Sequence, residues 1–367
     1  MRATVLTDNL RRGLGFVNHA VSSRNQLPIL LNFLIQAKKG ELKFSATDLE
    51  IGISVNVPAR VDEDGSITVP AKTFFDLVSN VPYEKTTISL KDSSLELTSE
   101  KIKSTFSTIP SSEFPKLFEE KGDKVGEIKE GDLLLLGKVV IAAAEDIGSR
   151  PALSGILLSE TPLGLEVVAA DGYRLSLLKG FSIRGKKSKN RTLLPSRVIR
   201  ELLSQKNVGD IQVFVSERGR QVIFEGSDFV LVGRLIEENF PDYEKIIPLD
   251  FSTLTVFDKE EALNAVRACS VFAREAANII KLSIKKGSVT FSSDASSIGT
   301  NEVEVEAKVE GEENEIAFNS RYLTDALSVL KEGGIRFEMA GPLSPGVFKE
   351  EGGKNFLHII MPIRVQS

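Results

Sequence analysis

The sequence predicts an α+β protein built from three copies of one unit, each with two helices packed on one face of an antiparallel sheet. Three recurrences predict it. Alternating, strand-like runs end at an aspartate in 42–48, 165–171 and 289–294, which spaces Asp48, Asp171 and Asp294 by 123 and 123 residues. Strand ends followed by a helix-start signal recur at 69–72, 194–197 and 318–321, spacing Ala71, Ser196 and Ser320 by 125 and 124. An amphipathic helix opens each unit, with Leu10, Leu136 and Leu263 spaced by 126 and 127. One period, kept in one order by independent landmarks, nearly exhausts the 367 residues.

The elements of the first unit follow in order. Thr7 is the expected cap of a helix whose buried stripe is Leu10, Leu14, Val17 and Val21. Strands are expected over 30–36, 41–47 and 51–59, with a turn at Lys39-Gly40 and period-two alternation of Ile51, Ile53, Val55 and Val57. A second helix starts at Pro70, and strands over 86–90, 95–98 and 103–109 complete a meander that turns at Asp92-Ser93-Ser94. Charged or Pro-bearing linkers at 121–126 and 248–252 give units over 1–121, 127–246 and 250–367.

Composition narrows the function. With 46 Lys and Arg against 51 Asp and Glu, the net charge of −5 argues against a general nucleic-acid coat, because phosphate affinity comes from clustered cations. A basic face within an acidic whole remains compatible. Cys269 is the lone cysteine and His19 and His358 are the two histidines, so neither an intrachain disulfide nor a Cys/His zinc site is expected. The N-terminal residues lack a signal-peptide core and no apolar run reaches about 18 residues, so a cytoplasmic protein is expected, with no membrane partner.

Motifs of small-molecule chemistry fail on inspection. Gly352-Gly353-Lys354-Asn355 ends in Asn and has Phe348 where a phosphate loop needs its first glycine, so it reads as a hairpin turn. Gly13-Leu14-Gly15 lies inside a helix and lacks the third glycine of a dinucleotide site. His19 reads as a helix-surface residue, and the paired acids Glu237-Glu238 and Glu350-Glu351 as hydrated faces. No catalytic residue, cofactor or metal is expected. A chain with repeat symmetry and no reactive cluster points to a scaffold.

Several segments resemble the bacterial sliding-clamp family, the beta subunits of DNA polymerase III, in order and along essentially the whole chain. They are 27–30 (Leu-Pro-Ile-Leu), 47–50, 69–72, 150–155, Ala170-Asp171-Gly172-Tyr173-Arg174-Leu175, Asn239-Phe240-Pro241-Asp242-Tyr243 and Met361-Pro362-Ile363-Arg364-Val365. The Asp-Gly-aromatic-Arg-Leu, Phe-Pro-Asp-Tyr and Met-Pro-hydrophobic-Arg stretches are the most specific. The resemblance implies three clamp domains per chain and a head-to-tail homodimer. Its six domains would form a ring around double-stranded DNA, sheets outside and twelve helices lining the hole. It implies a processivity factor that tethers the DNA polymerase III alpha subunit, the clamp loader, repair polymerases and mismatch repair proteins.

The resemblance also carries site residues. A peptide pocket between the second and third domains would comprise Leu153, Ala170, Gly172, Tyr173, Arg174, Leu175, Pro241, Lys245, Ile246, Leu343, Pro345, Ile359, Met361, Pro362, Ile363, Arg364 and Val365. Apolar walls would supply affinity, while Arg174 and Arg364 would fix the polar groups of the peptide. Ile359, with Leu153 and Ile246, has core as its other reading. Tyr173 stands where the family commonly has histidine, and Gln366-Ser367 extend beyond the usual end. The candidate DNA-facing cations are Arg11, Arg12, Arg24, Lys72, Lys138, Arg197, Arg200, Arg267 and Arg321; Arg24 matches a DNA-contacting loop arginine of the family. Phe106, Val271 and Phe272 match the ring junction. Two rivals stand beside this reading: a repeat-built enzyme with its site between units, and a protein-only scaffold of three binding modules.

Overall fold

The structure, a computed structural model, describes residues 1–22, 27–145, 150–162, 164–183, 191–275, 277–296 and 298–364. Arg24 and Val365 lie outside the described residues. Each third of the chain folds as the same series. The first contains β1 (Arg2–Leu6), α1 (Thr7–Val17), β2 (Asn32–Lys38), β3 (Glu41–Thr47), β4 (Ile51–Glu63), β5 (Gly65–Pro70), α2 (Ala71–Ser79), β6 (Lys85–Lys91), β7 (Ser94–Ser99) and β8 (Ile102–Ser107). The second contains β9 (Asp123–Ile128), α3 (Glu130–Val140), β10 (Gly155–Thr161), β11 (Gly164–Ala170), β12 (Arg174–Phe181), β13 (Thr192–Pro195), α4 (Ser196–Ser204), β14 (Ile211–Ser216), β15 (Gln221–Glu225) and β16 (Phe229–Arg234). The third contains β17 (Thr253–Asp258), α5 (Lys259–Ala273), β18 (Ile279–Lys285), β19 (Ser288–Ala295), β20 (Gly299–Gly311), β21 (Asn314–Asn319), α6 (Ser320–Val329), β22 (Gly334–Met339), β23 (Gly346–Glu350) and β24 (Phe356–Ile360). Ala71, Ser196 and Ser320 are the first residues of α2, α4 and α6, and Leu10, Leu136 and Leu263 are buried on α1, α3 and α5.

Backbone contacts group the chain into two compact units rather than three. One is made chiefly of Met1–Glu130 and Arg200–Leu235, the other chiefly of Gly131–Ser182 and Ile236–Ser367. The reason is strand pairing across the repeats. In the first unit β16 pairs antiparallel with the start of β4, from Phe229 opposite Val55 to Gly233 opposite Ile51. In the second, β24 pairs with the start of β12, from Arg174 opposite Ile360 to Leu178 opposite Phe356. Last strand on fourth strand is thus the rule at both places. Each unit consequently carries one continuous sheet of twelve strands.

Local chemistry accounts for several of the turns and corrects two expectations. Thr7 is not a cap: it is the first residue of α1, and its hydroxyl instead shares a buried hydrogen bond with Thr86 at 2.9 Å. Val21 lies beyond the helix, which ends at Val17. Asp48 accepts from the backbone N–H of Glu50 and Ile51, and Asp171 accepts likewise from Tyr173 and Arg174, so two of the repeated aspartates close the same turn. Asp294 does not, because β19 runs on through it and pairs it with Thr300. The two like turns need a left-handed residue after the aspartate: Gly172 has φ 94°, while Leu49 takes φ 76° against its Cβ. Gly13 is needed for another reason, since a Cβ there would stand 2.7 Å from Val57 on β4. Gly352-Gly353 turns β23 into β24, as expected of a hairpin.

Candidate functional site

The sequence-predicted pocket residues come together in the second unit around one apolar cluster. Leu153, Ala170, Leu175 and Ile359 are buried with Val168, Leu177, Tyr243 and Val347, and Phe240 and Ile247 pack against them. Ile359 therefore belongs to the floor of the site and is not accessible itself. The rim is apolar and exposed: Tyr173 (64%), Leu343 (58%), Ile246 and Met361 all face solvent. Pro241, Lys245, Gly172 and Arg364 are also exposed, while Pro345, Pro362 and Ile363 are half-buried.

Strand register explains the assembly. β12 and β24 lie side by side, and just beyond their paired ends the Met361 N–H donates to the Tyr173 carbonyl at 2.8 Å. Ile363 N–H donates to the Ala317 carbonyl at 2.8 Å, anchoring the following segment to β21. Leu343 and Pro345 precede Gly346, which pairs with Ile360. Tyr243 sends its hydroxyl to the Glu166 carboxylate at 2.9 Å, so burial and that carboxylate hold its phenol protonated and pin the segment that carries Ile246.

Arg174 has partners within the unit. Its side chain is 6% exposed, donates through Nε to Asp171 at 3.0 Å and through Nη1 to Asp325 at 2.6 Å, and stacks 4.5 Å from the Tyr322 ring. Two of its three nitrogens are thus held within the unit, and the side chain braces the site. The other face of the packing is aromatic, since Tyr173 stacks on Tyr322 with centroids 6.4 Å apart. Burial is the first cause that raises the Tyr322 phenol above its ordinary value. Tyr322 and Asp325 are the functional residues that sequence reasoning missed; their i, i+3 spacing on α6, which puts both on one face, was the available signal. Replacing Arg174 with Met should lower stability by about 3 kcal/mol, because two partly buried carboxylates lose their cation. A urea midpoint unchanged from that of the parent chain would show that the bridge does not brace the site.

The candidate DNA-facing residues spread over all six helices, with Arg11 and Arg12 on α1, Lys72 on α2, Lys138 on α3, Arg197 and Arg200 on α4, Arg267 on α5 and Arg321 on α6. Arg12, Lys72, Arg267 and Arg321 are exposed, Arg197 and Arg200 half-buried. Arg11 is already engaged with Asp8 at 2.6 Å and with the Val81 carbonyl at 2.9 Å; Arg321 is bridged to Glu145 at 2.8 Å. Lys138 must be corrected: it is buried, ion-paired with Glu350 and set over the Phe356 ring, so no phosphate can reach it. Phe106 on β8 is likewise buried, edge-on to Phe74 at 5.3 Å, rather than standing out as a lone contact. Val271 on α5 is exposed and Phe272 is half-buried. Cys269 is buried and its thiol is pushed up to about 11 by burial, which suppresses thiolate chemistry.

Three sequence profiles match consecutive parts of the chain: the N-terminal domain of the DNA polymerase III beta subunit over residues 1–118, its central domain over 133–242 and its C-terminal domain over 244–364. The chain belongs to the DNA polymerase III beta subunit family. Members of this family similar to it include the beta sliding clamp of Synechococcus elongatus, 28% identical with both chains covered in full. The solved DNA polymerase sliding clamp of Bacillus subtilis superposes with a TM-score of 0.89 at 26% identity, again over both whole chains. The sliding clamp of Bartonella birtlesii, solved bound to griselimycin, superposes with a TM-score of 0.91 at 26% identity over both whole chains.

Proposed function

We propose that the chain is a non-catalytic DNA sliding clamp of the cytoplasm, with three domains over 1–121, 127–246 and 250–367. Two copies close into a six-domain ring that encircles duplex DNA and tethers polymerases, the loader and repair proteins through the Tyr173–Met361 pocket. One observation carries this reading. The junction of last strand on fourth strand is made twice within the chain, β16 on β4 and β24 on β12. Its third instance is left open at both ends. β8 is the last strand of its third and pairs with β7 alone among the described strands, while residues 299–306 of β20 pair with β19 on one side only. A second copy supplies what each open edge lacks, and a heterologous contact of this kind closes into a ring.

Tethering then follows from topology. A protein that gripped DNA through many tight ion pairs would stall, whereas a few exposed arginines and lysines, separated by helix acids such as Asp8 and Asp76, tether while permitting sliding. The net charge of −5 suits that weak grip. Loaded on nicked circular DNA by a clamp loader, the protein should remain on the circle and leave when the circle is cut. Equal retention on cut and uncut DNA would defeat the reading.

The pocket is tested separately. Ending the chain at Ile360 removes Met361 and both anchoring hydrogen bonds, and should weaken binding of a labelled apolar peptide at least about tenfold, the scale of one large buried side chain. The dimer should persist, because neither open edge includes the removed residues. Unchanged affinity in fluorescence anisotropy would remove the pocket from these residues.

A further inference from the structure

A second concavity adjoins the pocket. Pro248, Leu249, Asp250 and Phe251 form one wall, and Arg336, Glu338, Pro345, Val347 and Lys349 the other, around a cleft of about 190 Å³. That space is below the about 300 Å³ at which sites for drug-sized ligands begin, and enough for one or two side chains. Its walls continue those of the pocket. Ile246 leads through Ile247, which packs on the pocket floor, directly into Pro248, and Pro345 and Val347 belong to both.

The cleft has the chemistry of a recognition surface. Leu249 is 94% exposed and Phe251 is 47% exposed, two apolar side chains two residues apart on one segment. Arg336 lies 5.6 Å from the Phe251 ring centroid. Its Nε donates to Glu338 at 2.5 Å, and Lys349 donates to the other oxygen of that buried carboxylate at 2.7 Å. Glu338 is thereby saturated and held ionised by both cations. The terminal nitrogens of Arg336 have no hydrogen bond among the described residues. Asp250 is the one other acid in the lining.

We propose that this cleft is a second subsite for the same partner segment that fills the pocket, taking flanking residues that pair an apolar side chain with a carboxylate. The apolar side chain packs on Leu249 and Phe251, and the carboxylate meets the free end of the Arg336 guanidinium. The occupant is the partner's segment rather than an independent ligand because the two concavities share walls and the cleft is too small to hold much alone. This inference rests on the pocket reading above.

Fluorescence anisotropy with the full dimeric protein tests it using three labelled peptides: an apolar five-residue core with Leu and Phe at alternate positions, and the same core extended by Leu-Glu at either end. One extended peptide should bind about tenfold tighter than the core. That gain should vanish in Leu249→Ser and Phe251→Ser, both exposed enough to leave the fold intact, while the core binds these variants as it binds the parent. A Gln in place of the added Glu should forfeit part of the gain. Equal affinities of all three peptides for the parent protein would overturn the subsite and leave the pocket standing. Failure of the core to bind would overturn the pocket and the subsite together. A shift in sedimentation of Leu249→Ser with unchanged peptide affinities would assign the cleft to a second copy, and so overturn the proposal as well.

Discussion

Reversing Glu302 and Glu304 to lysine should convert the dimer to monomers at concentrations where the parent chain remains paired. On β20, Glu302, Glu304 and Glu306 alternate outward with Asn301, Val303 and Val305, and on β8 Lys103 and Thr105 alternate with Ile102 and Phe106. If β8 meets β20 as β16 meets β4, an acidic outward row faces a row that holds Lys103, with Lys101 just before it. Lys103 now sits 3.1 Å from Glu96, which Lys91 also holds at 3.1 Å, and the two lysines keep that carboxyl below its usual range. Lys103 can therefore turn to a second copy without leaving Glu96 alone. Juxtaposed like charges should weaken the dimer by about a hundredfold, and adding Lys101→Glu and Lys103→Glu to the same chain should restore it. Sedimentation velocity reads both results. The parent dimer should also loosen between about 0.1 M and about 1 M salt, where the Debye length falls from about 10 to about 3 Å. A paired distribution indifferent to salt and to reversal would show that these edges do not meet.

The second large effect concerns acid. His358 on β24 is fully buried, shares a hydrogen bond with Ser176 on β12 through Nδ1 at 2.7 Å, and has no partner at Nε2. Burial first, and the nearby Arg174 charge second, push its pKa down from 6.5 to about 3. The folded protein thus keeps it neutral while the unfolded chain protonates it below about pH 6.5. The stability it confers is fully present above that pH and is lost progressively as pH falls towards 3, about 2–3 kcal/mol of it by about pH 4.5 at 1.36 kcal/mol per pH unit. Urea unfolding of the parent chain and of His358→Gln at pH 7 and pH 4.5 checks this, the variant showing the smaller acid loss. Identical acid losses in the two proteins would mean that another group governs the transition.

The repeat was legible because its markers are local. Helix starts at Ala71, Ser196 and Ser320 are written in the residues beside them, and β3 occupies Glu41–Thr47 as its alternation predicts. The misreadings share a physical cause, which is a partner far along the chain. Thr7 looks like a cap until Thr86, 79 residues away, takes its hydroxyl. Arg174 looks like a cation without partners until Asp325, 151 residues on, takes one of its nitrogens. Lys138 looks like one more basic residue on a helix until Glu350 removes it from solvent. β1, which pairs with β4 and β6, drew no notice because its five residues say little without those neighbours. In the site, Leu153, Ala170, Leu175 and Ile359 were named through the family resemblance and lie in one buried cluster; the Tyr322–Tyr173 stack and the cleft beside Phe251 required the register of strands to bring them together.

The head-to-tail joining of strands has a consequence for incomplete chains. A product ending after the second third would display the edge of β12 that β24 otherwise covers, with Leu175 and Leu177 in it, along with the unfilled edge of β8. Two unlike sticky ends on one molecule, without the geometry that shuts the circle, make a building block for open-ended fibres. Truncated translation products are therefore an aggregation hazard, which β24 removes by covering the edge of β12.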